Sequence, residues 1–155
     1  MTSAKITPVE KTIEVSRDAA TAFEFFSASF DDWWPKQSHS VGADTHGIVP
    51  KHVRIEPGEG GRLYEILPDG REFVWGYIKA WQPGRRLVFS WQFDKPDDQA
   101  TEIEINFTQL DSGHTRVHLI HRGWENDPNG AALRQNYNTG WDSVITAYVA
   151  YSSSM

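Results

Sequence analysis

Residues 60–91 read GGRLYEILPDGREFVWGYIKAWQPGRRLVFSW, and this stretch decides the fold. It predicts three β-strands, at residues 61–67, 72–81 and 86–93. Pro68-Asp69-Gly70 and Gln82-Pro83-Gly84 separate these strands. Both favour tight turns, because proline presets φ and glycine tolerates a positive φ. Connections this short predict an antiparallel meander, since parallel neighbours need long crossovers.

Further strands are predicted on both sides of this stretch. They cover residues 9–15, 48–56, 101–108 and 114–122. The third of these alternates strictly between apolar and polar residues, which is typical of a sheet with one face in water. Together the segments predict a curved antiparallel sheet of six or seven strands.

Two short helices are predicted after the first strand. Ser16 is the predicted N-cap of the first helix, which has Asp18 in its first turn and ends near Ser27. A second helical turn covers residues 30–34 and ends before a proline, which restrains the residue that precedes it. Residues 36–47 are polar and aperiodic, so we expect a loop there.

The last predicted element is an amphipathic helix that begins near Asn129. Its apolar residues recur every three or four positions, as Leu133, Tyr137, Trp141, Val144, Ile145, Tyr148 and Tyr151. A stripe of this kind must be buried, so we expect an α+β fold in which the sheet wraps around the helix. We expect Gly140 to let the helix backbone approach the sheet beside Trp141.

Composition bounds the class of protein. A chain of 155 residues is long enough for a single domain with its own core, predicted at residues 9–151. Residues 1–8 are predicted to be a flexible N-terminus and residues 152–155 a tail. The first eight residues lack the apolar run of a signal peptide, and no segment approaches the ~20 apolar residues of a membrane span. We therefore expect a cytoplasmic protein without a membrane span.

The net charge and the set of potential metal ligands exclude further classes of protein. A net charge of −6 with scattered acidic residues argues against nucleic-acid binding, which needs a basic face. The absence of cysteine removes disulfides and thiolate metal sites. His118 and His121 are three residues apart on a predicted strand, so their side chains point to opposite faces and cannot share a metal. We predict neither a metal nor a cofactor.

The order and spacing of these motifs resemble those of the START-like (SRPBCC) superfamily. The resemblance rests on Gly60-Gly61-Arg62, Tyr64-Glu65, Asp69-Gly70, Trp75-Gly76, Ala80-Trp81-Gln82-Pro83, Arg86-Leu87-Val88 and Trp91, with Trp33-Trp34, Thr115, His121-Arg122-Gly123 and Gly140-Trp141 in support. Within the superfamily, the chain is most similar to homologues of the C-terminal domain of the heat-shock-protein-90 ATPase activator. The resemblance implies a helix-grip fold with a hydrophobic cavity between the curved sheet and the C-terminal helix.

Ten residues are candidates for ligand binding in that cavity. They are Trp33, Trp34, Glu65, Trp75, Phe89, Trp91, Phe107, His121, Tyr137 and Trp141. If the aromatic side chains fill the interior, the protein has a solid core; if they line it, a lipophilic ligand is expected. Trp33 and Trp34 begin a loop that could cover the cavity mouth.

Glu65 and His121 are also the candidates for acid–base chemistry. A carboxylate turned into an aromatic cavity can act as an acid or a base. The alternative for Glu65 is a carboxylate that is exposed or paired with an arginine. His121 is expected to face inward with Leu119, and its alternative role is that of a hydrogen-bonded polar group beneath the helix.

Three functions are compatible with these features. The leading hypothesis is non-catalytic binding of a small lipophilic or aromatic molecule between the sheet and the C-terminal helix. The second is a cyclase, dehydratase or hydrolase that uses Glu65 or His121, with Tyr64 or Tyr137 orienting a substrate oxygen. The third is an interaction protein that modulates a chaperone ATPase. Residues 72–81 carry two apolar faces, one of which a second subunit could cover, so a homodimer is a further hypothesis.

Overall fold

The computed structural model describes residues 5–93 and 95–154, which form one seven-stranded antiparallel sheet and three α-helices. The strands are β1 (Val9–Val15), β2 (His52–Ile55), β3 (Arg62–Ile66), β4 (Glu72–Gln82), β5 (Arg86–Trp91), β6 (Thr101–Asp111) and β7 (His114–Arg122). The helices are α1 (Ala19–Ser27), α2 (Phe30–Trp33) and α3 (Gly130–Ser153). This architecture confirms the predicted α+β helix-grip fold.

The sheet is a meander whose first strand closes one edge. Strands β2 to β7 are neighbours in chain order, and β1 pairs with β7, from Val9 opposite His121 to Val15 opposite Thr115. Helices α1 and α2 follow β1 and lead the chain across to β2 at the other edge. The curled sheet and α3, which packs against β1, enclose the core.

The capping of α1 differs from the prediction. Asp18, and not Ser16, is the N-cap, because its carboxylate accepts the backbone N–H of Thr21 at 3.0 Å. An acceptor at this position satisfies one of the free N–H groups of the first turn. The predicted end of α1 at Ser27 is confirmed, whereas α2 ends at Trp33, one residue earlier than predicted, because Trp34 before the proline is extended.

The segment predicted as a loop at residues 36–47 contains a π-helical turn, Gly42–His46. Such turns are rare and often occur at functional sites. Gly42 is required for packing, because an added Cβ would lie 2.5 Å from the carbonyl oxygen of Ile48. The strand that follows begins at His52, later than predicted, so the segment between α2 and β2 is longer and more structured than its sequence indicated.

A β-bulge interrupts β4, the strand for which the sequence predicts two apolar faces. The register between β4 and β5 shifts between Ile78 and Ala80, and a second shift occurs where β3 pairs with β4. A bulge adds one residue to a strand and interrupts the alternation of faces. The shift in the β3–β4 pairing falls at Trp75, so Trp75 and Ile78 are both buried although they are three residues apart, while Tyr77 is exposed.

The apolar stripe of α3 is buried at its centre and partly open towards its N-terminus. Trp141, Val144 and Tyr148 are buried, whereas Leu133 and Tyr137 are half-buried. The open end of the stripe lies beside the cavity described below. The length of α3 does not make it a membrane span, and among the described elements no helix is apolar enough for that role.

Both ends of the described chain contact neighbouring segments. The backbone N–H of Ile6 donates to the Glu125 carboxylate at 3.1 Å, and the Arg134 guanidinium donates to the carbonyl of Pro8 at 3.0 Å. Ser152 is buried in the last turn of α3. Residues 1–4 and 155, which belong to the predicted flexible N-terminus and tail, lie outside the described residues.

Candidate functional site

The space between the sheet and α3 is divided into a closed region and an open cavity. The term closed region refers here to an aromatic cluster. Its members are Phe23, Phe26, Phe30, Trp33, Phe107 and Tyr148. The void there measures only about 10 Å³. The open cavity measures about 490 Å³, within the range of roughly 300–1,000 Å³ typical of small-molecule sites. Trp141 and Val144 line both spaces.

One wall of the open cavity is apolar. It consists of Trp34, Trp91, Phe93, Leu133, Trp141 and Val144. The rings of Trp91 and Phe93 are nearly parallel, at 10° with centroids 5.3 Å apart, and Trp34 lies 6.1 Å from Trp91. Flat aromatic surfaces arranged in this way suit a flat apolar ligand.

A second part of the cavity lining is polar. It is formed by Ser38, His39, Ser40, Asp44, Thr45, Lys95 and Asn136. Burial lowers the pKa of His39, so its imidazole is neutral at pH 7, and its Nδ1 lies 2.7 Å from the Ser38 hydroxyl. Lys95 lies 3.1 Å from the buried carboxylate of Asp127. Within residues 5–93 and 95–154, no group of three or more histidine and carboxylate side chains is placed to hold a metal ion.

A hydrogen bond links two residues that line the cavity, Trp91 and Tyr137. The indole N–H of Trp91 donates to the Tyr137 hydroxyl at 3.0 Å. Burial raises the pKa of Tyr137 to about 12, because the charged phenolate is poorly solvated there. The phenol therefore remains protonated at physiological pH.

His121 lies behind the apolar wall and holds it in place. The Trp141 indole donates to Nδ1 of His121 at 3.0 Å, so the imidazole proton is on Nε2, which donates to the Thr101 hydroxyl at 2.6 Å. The Thr101 hydroxyl in turn lies 3.3 Å from the carbonyl oxygen of Trp91. Complete burial lowers the pKa of His121 well below its usual range. His121 thus positions two tryptophans of the wall as a neutral imidazole.

Glu65 is fully buried and anchors the polar side of the cavity. Its carboxylate accepts the backbone N–H groups of Val41 at 2.7 Å and Gly42 at 2.9 Å, and the indole N–H of Trp75 at 2.6 Å. The two backbone donors stand at the start of the π-helical turn that carries Asp44 to the cavity. Neither alternative expected for Glu65, exposure or pairing with an arginine, describes these contacts.

The ten candidate residues occupy different places. Trp34, Trp91, Tyr137 and Trp141 line the open cavity, and Trp33 and Phe107 belong to the closed region. Trp75 and Phe89 are buried in the core, and Glu65 and His121 support the cavity from behind. Gly140 lies against His39 and not against the sheet, because an added Cβ would lie 3.6 Å from the imidazole Nε2.

Five of the seven residues on the polar side of the cavity were missed because they lie in an aperiodic segment. Nothing in residues 36–47 reveals which side chains face inward. Asn136 carried a usable signal, because it precedes Gly140 by four residues and follows Leu133 by three, which places it at the edge of the apolar stripe. Helical spacing would have identified this residue as a neighbour of the cavity.

Comparison with known proteins agrees with the fold described above. Residues 19–151 match the family model described as Activator of Hsp90 ATPase homolog 1-like protein. Anthrahydroquino-gamma-pyrone synthase Txn09, solved in complex with the ligand SUM, is 35% identical, with a TM-score of 0.60 and coverage of 84% of this chain and 86% of that chain. No curated protein sequence gives a significant match.

Two further structures share the fold at lower identity. CalC, a self-sacrificing resistance protein from Micromonospora echinospora, is 22% identical, with a TM-score of 0.66 and coverage of 94% of each chain. Protein NE0264 from Nitrosomonas europaea is 16% identical, with a TM-score of 0.67 and coverage of 95% of this chain and 94% of that chain. These matches confirm the START-like fold, and with the family match they show that the chain belongs to the family of activator of Hsp90 ATPase homolog 1-like proteins.

Proposed function

We propose that this protein binds a flat aromatic small molecule in the open cavity. The observation that carries the proposal is the shape and lining of that cavity, about 490 Å³ with tryptophan and phenylalanine faces on one side and polar groups on the other. Apolar pockets with a few convergent polar groups are typical ligand sites. The likeness to a synthase whose name refers to a fused aromatic ring system adds support from sequence.

The arrangement favours a rigid aromatic ligand over a flexible lipid chain. Trp91 and Phe93 present nearly parallel rings, which complement a planar molecule. The polar groups that line the same cavity can bond oxygen atoms on the edge of such a molecule. A flexible chain would lose more conformational entropy on binding and leave these polar groups without partners.

Direct binding measurements test the proposal. We expect fused aromatic ketones such as anthraquinone and xanthone to quench tryptophan fluorescence and to raise the melting temperature. A ligand at 100 times its dissociation constant stabilises the folded state by about 2.7 kcal/mol. Native mass spectrometry of freshly purified protein should also detect a bound aromatic molecule.

A pair of variants on α3 locates the binding site. Gly140 lines the open cavity, whereas Thr139 is exposed and outside the cavity lining. We expect Gly140→Phe to fill the cavity and weaken binding by roughly tenfold or more, since overpacking costs about 1–3 kcal/mol. Thr139→Phe, which adds the same ring one residue away, should leave binding unchanged. Equal affinities for the two variants would place the ligand elsewhere.

The polar side of the cavity supports a second candidate function, ring closure of an aromatic substrate. His39 is a neutral imidazole and can accept the proton of a phenolic hydroxyl. The phenolic oxygen then bonds to the carbon β to a conjugated ketone, and the adjacent α carbon gains a proton. This addition is an isomerisation that needs no oxidant or reductant. The name of the similar synthase describes a product with a pyrone ring.

Conversion of 2′-hydroxychalcone to flavanone tests this second candidate, because it is the same type of addition. We expect the protein to accelerate the reaction, and His39→Gln to reduce the rate by roughly 100-fold while changing the affinity for xanthone much less. A rate equal to that with heat-denatured protein would exclude ring closure of this substrate type. The binding proposal would then stand without the catalytic one.

A further inference from the structure

The hydroxyl of Tyr137 has one hydrogen-bonding capacity that the described residues leave unused. Trp91 donates to its oxygen at 3.0 Å, and an indole N–H cannot accept a bond in return. No hydrogen bond donated by the Tyr137 hydroxyl is found among the side chains and backbone of residues 5–93 and 95–154. Among the described residues the phenolic proton therefore has no acceptor, and Tyr137 lines the open cavity.

We propose that Tyr137 donates this proton in a hydrogen bond to a carbonyl oxygen of the bound ligand, and so makes the protein selective for aromatic ketones. The inference rests on the proposed function, because it concerns the ligand of the same cavity. It adds the functional group by which that ligand is recognised and oriented.

The donor is held rigidly in position. Trp91 is fixed at its backbone by the Thr101 hydroxyl and at its side chain by Tyr137. Thr101 also bonds to His121, which orients Trp141 on the adjacent part of the wall. The hydroxyl of Tyr137 consequently occupies a fixed place next to two aromatic faces, and a donor that needs no rearrangement binds its acceptor more strongly.

The hydroxyl proton of Tyr137 favours a ligand that carries a hydrogen-bond acceptor. Because one lone pair of the Tyr137 oxygen already receives the Trp91 proton, the hydroxyl proton points away from Trp91. A carbonyl oxygen matches this proton, whereas a methylene group at the same place would leave it without a partner. Leaving a buried donor unpaired costs about 1–3 kcal/mol, so the selectivity should be substantial. The raised pKa of Tyr137, about 12, keeps the donor protonated.

A matched pair of ligands and a matched pair of variants test the inference. Xanthone and xanthene differ only in the replacement of the ring carbonyl by a methylene group. Tyr137→Phe removes the hydroxyl at the cavity. Tyr148→Phe removes a hydroxyl on the same helix that donates to the carbonyl of Ala22 at 2.6 Å and lies outside the open cavity lining.

We expect the unmodified protein to bind xanthone about tenfold more tightly than xanthene, as judged by quenching of tryptophan fluorescence. Tyr137→Phe should reduce this ratio to about one, and Tyr148→Phe should preserve it. Because the readout is a ratio of two affinities, a general loss of stability in either variant does not change it.

Two outcomes overturn the inference while leaving the proposed function intact. One is equal affinity of the unmodified protein for both ligands, and the other is a preference for xanthone that survives in Tyr137→Phe. Failure of the unmodified protein to bind either ligand overturns the proposed function together with the inference. These outcomes are distinguishable in one set of titrations.

Discussion

Trp33 and Trp34 are neighbours in the sequence but belong to two different interiors. Trp33 packs in the closed region, with ring centroids 5.1 Å from Phe26 and 5.1 Å from Tyr148. Trp34 lines the open cavity with Trp91 and Trp141. Both indoles donate to backbone carbonyls, so their hydrogen bonding does not explain the difference. The cause is the chain that covers each space.

The closed region is covered by helices and the open cavity by a polar segment. Helices α1 and α2 supply two apolar rings each to the closed region, namely Phe23, Phe26, Phe30 and Trp33. The segment that borders the open cavity supplies Ser38, His39, Ser40, Asp44 and Thr45 instead. Aromatic density alone therefore does not separate a solid core from a binding site; the covering segment does.

The largest expected difference between the two regions is in stability. Phe26→Ala in the closed region should reduce the free energy of unfolding by about 3–5 kcal/mol, because a tightly packed ring leaves a cavity behind. Leu133→Ala at the open cavity should cost less than about 1.5 kcal/mol, since that side chain is half-buried beside existing space. Urea denaturation of both variants measures the difference. Equal losses would contradict the division into two regions.

A second prediction concerns the anchor of the polar segment. Glu65→Gln should reduce the free energy of unfolding by roughly 2–3 kcal/mol, because the new amide group cannot accept one of the buried N–H bonds. Glu72→Gln is the control, since Glu72 is exposed and forms only a surface ion pair with Arg62. A catalytic role without a structural one predicts an unchanged melting temperature for Glu65→Gln.

Buried His121, which supports the apolar wall, makes the free energy of unfolding depend on pH. His121 has a lowered pKa in the folded state, whereas a histidine in the unfolded chain has a pKa of about 6.5. Below pH 6.5 the unfolded state therefore binds a proton that the folded state does not. The contribution of His121 to the free energy of unfolding is therefore fully present above that pH. It is lost as the pH falls, by up to about 1.4 kcal/mol per pH unit.

Urea denaturation between pH 5 and 8 measures this slope, and the imidazole nitrogen shifts of His121 in NMR spectra identify its source. We expect those shifts to remain those of a neutral ring at pH 5.5. Signals of a charged ring at that pH would show that the interior around Trp141 admits water. His39→Gln is the control for the second histidine with a lowered pKa.

The smallest expected effect is a gain in stability from a substitution at Gly140. Gly140→Ala should raise the free energy of unfolding by about 0.5–1 kcal/mol, because alanine favours the helix and its Cβ would lie 3.6 Å from His39, an ordinary contact distance. Thermal denaturation measures the gain. A loss of stability would instead indicate that the open cavity is too tight at this point to accept a methyl group.

Much of the fold was predictable, because the patterns that define it are local. The strand alternation at residues 101–108 and the stripe from Leu133 to Tyr151 each follow from side chains a few positions apart. The bulge in β4 was not predictable, since it depends on pairing with β5. Homodimer formation, association with a chaperone and location in the cytoplasm stay predictions.

The candidate site was predictable only in part. Three aromatic residues of the wall, Trp34, Trp91 and Trp141, were among the candidates, because large rings on strands and on an amphipathic helix tend to face the interior. Phe93, which follows β5, was not among them. Glu65 and His121 were named as candidates for acid–base chemistry in the cavity, but whether they touch the cavity depends on what lies in front of them. Trp141 stands in front of His121, and the π-helical turn stands beside Glu65.

The sequence alone determined most of the secondary structure, the class of fold and the aromatic character of the interior, because each of these depends mainly on neighbours along the chain. Only the tertiary structure decided where the interior is full and where it is empty. That division depends on how residues 36–47 meet α3, and contacts between segments about 100 residues apart leave no periodic pattern in the sequence.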